Sequence, residues 1–263
     1  MNNAVGIIPH FKGDVPPIFG REKRRRNETV MTGKDPATGL EVSEEVYLQL
    51  LACVHGEQRQ VAENVARVFA AGLYGYERRL LGDDVQPFFL EGCRWDWGEK
   101  ERYGAEISRD IYSIMPEQIR GLLHEPVVNA LTKRTRDEFE HALLLSDARG
   151  LDAVTTITHP YHRFRTELIG DHMKRIGGYR QQLAVHTPGE IADMRERSNR
   201  VQPYECFMID AIRVCEPSVQ TCLKEGIREK GPLLALHLAE RLTGKDWERK
   251  ILERMAVRNG REK

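Results

Sequence analysis

The sequence predicts an α/β fold, a three-layer sandwich with helices on both faces of a mostly parallel sheet. Three observations predict it. Five short apolar runs, at residues 4–8, 86–90, 126–131, 153–158 and 182–186, alternate with segments of helical periodicity, which is the pattern of βαβ units. Val154, Thr155, Thr156 and Ile157 are all β-branched, as a strand buried on both faces favours. A chain of 263 residues buries enough surface to need no disulfide or metal staple.

The elements follow in order. The run at 4–8 opens the sheet and passes into residues 9–42, rich in proline and glycine and carrying Arg21 to Arg26. This reads as a long loop, a kind that compact domains keep for function or mobility. In 60–74, Val61, Val65, Val68, Phe69, Gly72 and Leu73 recur at three and four residues, giving one apolar helical stripe. A helix over 135–149 opens with Thr135-Arg136-Asp137-Glu138, and another with Thr187-Pro188-Gly189-Glu190. Both carry the capping-box pattern, in which hydroxyl and carboxylate satisfy orphan amides reciprocally. Right-handed crossovers between parallel strands complete the sandwich. Residues 190–263 read as helical throughout. The expected organisation is an α/β domain over 1–188 with the long loop at 9–42, and a helical extension over 189–263 packed on it.

Composition excludes several classes. Lysine plus arginine equals aspartate plus glutamate at 40 each, so no global field draws the chain to nucleic acid or an anionic membrane. The run Arg21–Arg26 lacks interleaved aromatics and reads as solvated, or as a basic loop over a small anion. No eighteen apolar residues run together, and the amino terminus lacks a basic region before a short apolar run; neither a membrane span nor a signal peptide is expected. Five cysteines, odd in number and without a Cys-x-x-Cys pair, point to reduced thiols and a cytoplasmic location.

Open α/β sheets bind ligands outside the carboxyl ends of their strands. After the strand at 153–158 comes His159-Pro160-Tyr161-His162-Arg163-Phe164-Arg165-Thr166. The first turn of the following helix directs amides and a positive dipole at this spot. Arg165 supplies a charge-assisted contact to phosphate or carboxylate, and His162 has the acidity for proton transfer. His159 and Tyr161 flank them, and His186 closes the next strand. After the strand at 86–90, Gly92 permits close backbone approach, Arg94 can meet a phosphate and Trp95 can stack on a base or sugar. No His-Glu-x-x-His or cysteine pair marks a metal site.

The order of these pieces resembles the YdcF-like family, which includes the SanA and ElyC envelope proteins. That family has a Thr-x-Glu-Asn helix start, then a strand, then Thr-Ser-x-x-His-x-x-Arg-Ala. Here Thr135, His162 and Arg165 hold the threonine, histidine and arginine positions. Leu90-Glu91-Gly92 followed by Ala105-Glu106 is similar to the family's Ser-Gly-Gly and Glu-Ala segments. The resemblance spans roughly 85–188. Asp137-Glu138 stands where the family has Glu-Asn, and Glu138 is accounted for by the capping box. The resemblance implies a Rossmann-like fold and a pocket for a nucleotide-like or phosphorylated small molecule, with Thr135, Gly92 and Glu106 joining the site. It implies no settled cofactor or reaction. The expected function is binding of such a ligand by an enzyme acting on it, with His162 catalytic. The alternatives are a non-catalytic nucleotide or S-adenosylmethionine module, or an interaction protein using its helical C-terminal segment. A homo-oligomer is compatible with all three.

Overall fold

A computed structural model describes residues 4–9, 59–92, 94–97, 100–132, 134–198 and 201–217. The expected loop beyond Pro9, with the Arg21–Arg26 run, lies outside them, as does the extension beyond Pro217.

Five strands form the main sheet: β1 (Ala4–Pro9), β2 (Asp84–Glu91), β5 (Val127–Thr132), β6 (Ala153–Ile157) and β7 (Gln182–His186). Their order is β5-β2-β1-β6-β7, and every neighbouring pair is parallel. In chain order of these five strands this is 3-2-1-4-5, the doubly wound Rossmann-like arrangement. The order reverses between β1 and β6, where Pro9 pairs with Ile157.

Helices cover both faces. On one lie α1 (Arg59–Leu80), α2 (Gly104–Ser113), the short α3 (Glu117–Arg120), α6 (Pro188–Arg197) and α7 (Pro203–Cys215). On the other lie α4 (Thr135–Ala148) and α5 (Pro160–Gly177). Strand alternation sorts the core between them. Val5, Ile7, Phe89 and Ile157 pack with Val65, Phe69 and Leu73 of α1. Ile8, Phe88, Leu90 and Val154 pack with Phe139 and Leu143 of α4 and Met173 of α5. Burial of each large apolar side chain contributes roughly 1.5–3 kcal/mol. Gly6 is required by this packing, since a Cβ there would lie 2.5 Å from the Phe88 ring.

The capping box at Thr187 forms as its letters suggest. The Glu190 N–H donates to Thr187 Oγ1 at 3.2 Å, and the Thr187 N–H donates to Glu190 Oε2 at 2.9 Å. The one expected at Thr135 does not. Thr135 is already the first helical residue of α4, and Arg134 takes the cap position without a side-chain bond. Asp137, which this start places three residues after the cap, pairs with Arg134 at 2.6 Å. Glu138, one position further on, turns inward and is buried.

The stretch after β2 folds into an antiparallel hairpin, β3 (Arg94–Trp97) with β4 (Lys100–Tyr103), leading into α2. Residues 190–217 are not continuously helical: α6 and α7 are separate, and they pack with α1 over the sheet. No described helix is long and apolar enough to cross a membrane.

Candidate functional site

In a parallel sheet every following helix starts at the strands' carboxyl ends. The first turns of α1, α4 and α5 therefore converge beside the reversal between β1 and β6. From α5 come His159, Tyr161 and His162 at its start, all buried, and Arg165 one turn on. From α1 come Glu63, Asn64 and Arg67, from β2 its last residue Glu91, and from α4 Glu138; all are buried.

These groups bind one another across the sheet edge. The Tyr161 hydroxyl donates to Glu63 Oε2 at 2.6 Å. His159 Nε2 lies 3.1 Å from the Glu63 carbonyl oxygen and 3.8 Å from Glu63 Oε2. The Tyr161 ring lies 4.4 Å from His162 and 5.6 Å, stacked, from His159. Arg67 donates to Asn64 Oδ1. Burial pulls the Arg67 guanidinium down from its ordinary value, while Tyr161, Glu63, Glu138 and Glu91 all push it back up. Glu138 is pushed up from an ordinary value near 4.5 to about 7 by burial. A hydrogen bond with Glu91 and the charges of Arg67 and Arg165 pull against that rise, and Asp137 adds to it.

Three threonines complete the wall. Thr156 of β6, and Thr158 just beyond its end, fall by alternation on the side of α4 and α5, opposite Thr155, whose hydroxyl meets Tyr74 of α1 at 3.4 Å. Thr166 lies nearly two turns into α5. All three are buried, and among the described residues their hydroxyls have no hydrogen-bond partner. Buried hydroxyls without partners carry a desolvation cost that a ligand oxygen would relieve.

The helix start supplies fewer amides than its position suggests. Pro160 has no N–H, and the N–H groups of His162 and Arg163 both donate to the His159 carbonyl. An anion at this spot would be held by side chains and the helix dipole rather than by these amides. Arg163 is turned away, pairing with Glu167 at 2.8 Å and with Glu190.

The other residues singled out from the sequence divide. Thr135 is buried at the start of α4, one turn before Glu138. His186 stands at the end of β7, its ring 5.3 Å from Tyr74. Burial lowers its basicity, with Glu190 opposing and Arg163 adding to that effect. Glu106 accepts the Tyr103 N–H at 3.1 Å and so closes the start of α2. Gly92 donates its N–H to the Thr132 carbonyl at 2.6 Å. A Cβ at Gly92 would lie 2.4 Å from the carbonyl oxygens of Ala130 and Thr132; the close approach it permits is that of β5. Arg94 and Trp95 lie on β3, opposite Tyr103 and Arg102 of β4.

Glu63, Arg67 and Glu91 were not singled out from the sequence. Glu63 and Arg67 are four residues apart and so share one helical face. That face flanks the apolar stripe of α1 at its amino-terminal end, a signal present in the letters. Among the described residues no group of three or more His, Cys, Asp or Glu is placed to hold a metal ion. Comparison with protein-family models, with curated proteins and with solved structures finds no match.

Proposed function

We propose that this protein binds a phosphorylated or nucleotide-like small molecule where β6 passes into α5, as a YdcF-like protein, with Arg165 as the anion clamp and His162 as the proton-transfer residue. The observation that carries the reading is the convergence of buried charged and hydroxyl side chains from α1, β2, α4, β6 and α5 beside the strand-order reversal. Reversal points are where doubly wound sheets take their ligands. Buried ion clusters contribute little net stability compared with an apolar core, so a cluster of this size favours a functional role. The unpartnered hydroxyls of Thr158 and Thr166 would supply donors for phosphate oxygens. The family pattern supports the same three positions, Thr135, His162 and Arg165. A cytoplasmic location and a small anionic partner belong to this reading.

The test is a thermal-shift screen of adenosine phosphates, nucleotide sugars, S-adenosylmethionine and inorganic phosphate against the whole chain. A ligand at a hundred times its dissociation constant adds about 2.7 kcal/mol. The expected result is stabilisation by a phosphorylated compound, reduced in Arg165→Ala, with product formed by the wild type and lost in His162→Ala. No shift with any compound, or equal shifts in both variants and wild type, would sink the reading.

A further inference from the structure

Three buried hydroxyls lie along the seam where α4 and α5 meet over β6. Thr156, Thr158 and Thr166 are 2%, 0% and 1% exposed, and among the described residues none of these hydroxyls has a hydrogen-bond partner. The backbone sets their levels. Gly170 of α5 fits against α4 and β7: a Cβ there would lie 3.0 Å from the Phe139 ring and 3.4 Å from Leu183. Leu183 pairs with Val154 of β6, so Gly170, Phe139 and Val154 share one level, where apolar side chains close the seam. Nearer the carboxyl edge stand Thr166 and Thr135, each four residues before its helix's member of that contact. Thr156 stands two residues beyond Val154 on β6. Four helical residues rise about 6.0 Å and two strand residues about 6.6 Å, so these three threonines reach one level. Thr158 comes at the next level, its N–H bonded to the His186 carbonyl.

We infer that this seam is a closed-ended cradle for a terminal phosphoryl group, so that the ligand is a phosphate monoester or free phosphate rather than a phosphodiester or a carboxylate. The inference rests on the ligand reading given above and narrows it. Each unpaired buried hydroxyl carries a desolvation cost that an acceptor oxygen removes. Hydroxyls on two sides of a seam, and at two levels of it, suit three oxygens splayed about one phosphorus; a carboxylate presents two oxygens in one plane. The apolar closure at Phe139, Gly170 and Val154 selects a chain end. A diester carries a substituent on either side of its phosphorus and needs a second exit, which that closure does not leave. The amino ends of α4 and α5, helices of 14 and 18 residues, open on the same edge, and their dipoles favour an anion. A hydroxyl accepts as well as donates, so the cradle takes the singly protonated phosphoryl group as readily as the dianion.

Two measurements on the full chain test this. Without ligand, Thr156→Val and Thr166→Val should each melt at a higher temperature than the wild type, because each removes a buried hydroxyl that has no partner. Lower melting in either variant would show that hydroxyl to be paired in solution, by buried water or by a neighbour, and overturns the cradle. In calorimetric titration the wild type should bind adenosine monophosphate and inorganic phosphate. Cyclic adenosine monophosphate, with the same base and sugar but a diester, should bind at least about tenfold more weakly. Each valine variant should lose at least about tenfold in affinity for adenosine monophosphate, the effect of one hydrogen bond to a charged group. Thr166→Ser keeps the hydroxyl and should bind as the wild type does. Equal binding of monoester and cyclic diester, or unchanged binding in both valine variants, overturns the cradle and leaves the ligand reading standing. No binding of monoester or phosphate to the wild type also overturns the cradle; the ligand reading falls with it only if nucleotide sugars and S-adenosylmethionine fail to bind as well.

Discussion

The Tyr161 hydroxyl donates to Glu63 Oε2 at 2.6 Å, joining the first turn of α5 to α1 across the carboxyl edge of the sheet. Both partners are buried, so this bond fixes the two helical layers against each other beside the strand-order reversal. Tyr161→Phe keeps the ring against His159 and His162 and removes only the donor. It should cost about 1–3 kcal/mol in urea unfolding, the range for leaving a buried acceptor unsatisfied. Unchanged stability in Tyr161→Phe would show that the bond does not hold the layers.

Stability should fall as pH rises from about 5 to about 8. The folded Glu138 keeps its proton up to about 7, against an ordinary value near 4.5. Between those values the folded state binds more protons than the unfolded one, so its advantage is complete at low pH and is lost as pH passes through the folded value. The full effect is about 3 kcal/mol. Melting temperatures of wild type and Glu138→Gln across this range should converge at low pH and separate at high pH, the variant being the flatter. Parallel curves would contradict the assignment.

The α1, α6 and α7 layer holds a second buried ion pair, Arg195 to Glu205, with nitrogen-to-oxygen distances of 2.6 and 2.9 Å. Neither residue is more than 4% exposed. Glu205→Gln leaves the buried guanidinium with only the more distant Glu77, at 3.8 Å, as counter-charge and should destabilise by up to about 3–5 kcal/mol. Chemical denaturation would reveal this, and a change below about 1 kcal/mol would show the pair to be solvated.

Gly92→Ala should also destabilise, by about 1–3 kcal/mol, because its Cβ would lie 2.4 Å from two backbone carbonyl oxygens of β5. Backbone cannot move aside as a flexible side chain can. A neutral substitution would mean that β2 and β5 separate at Gly92 in solution.

The sheet was largely legible because each strand is a short apolar run bounded by polar residues. The run at 182–186 coincides with β7, and that at 153–158 extends β6 by the one residue, Thr158, whose N–H still bonds to the His186 carbonyl. The hairpin over residues 94–103 was missed because aromatic and charged residues alternate there without an apolar run. His162 and Arg165 were legible because they directly follow a strand. Arg67 and Glu63 were not, because α1 begins about fifty residues after β1 ends and only the crossover returns it to the same edge. Glu138 was misassigned for a local reason. The letters of a capping box are present, but α4 starts at Thr135 itself, which moves the carboxylate one position inward and into the site.

The central claim is that a phosphate-class anion pairs with Arg165 at the start of α5. Calorimetric titration of the whole protein with the best phosphorylated compound, at fixed ionic strength and about pH 7, tests it most directly. Wild type should bind, and Arg165→Ala should bind at least about tenfold more weakly, as loss of a charge-assisted contact of roughly 1.5–3 kcal/mol requires. Equal affinity in the folded variant would contradict the claim.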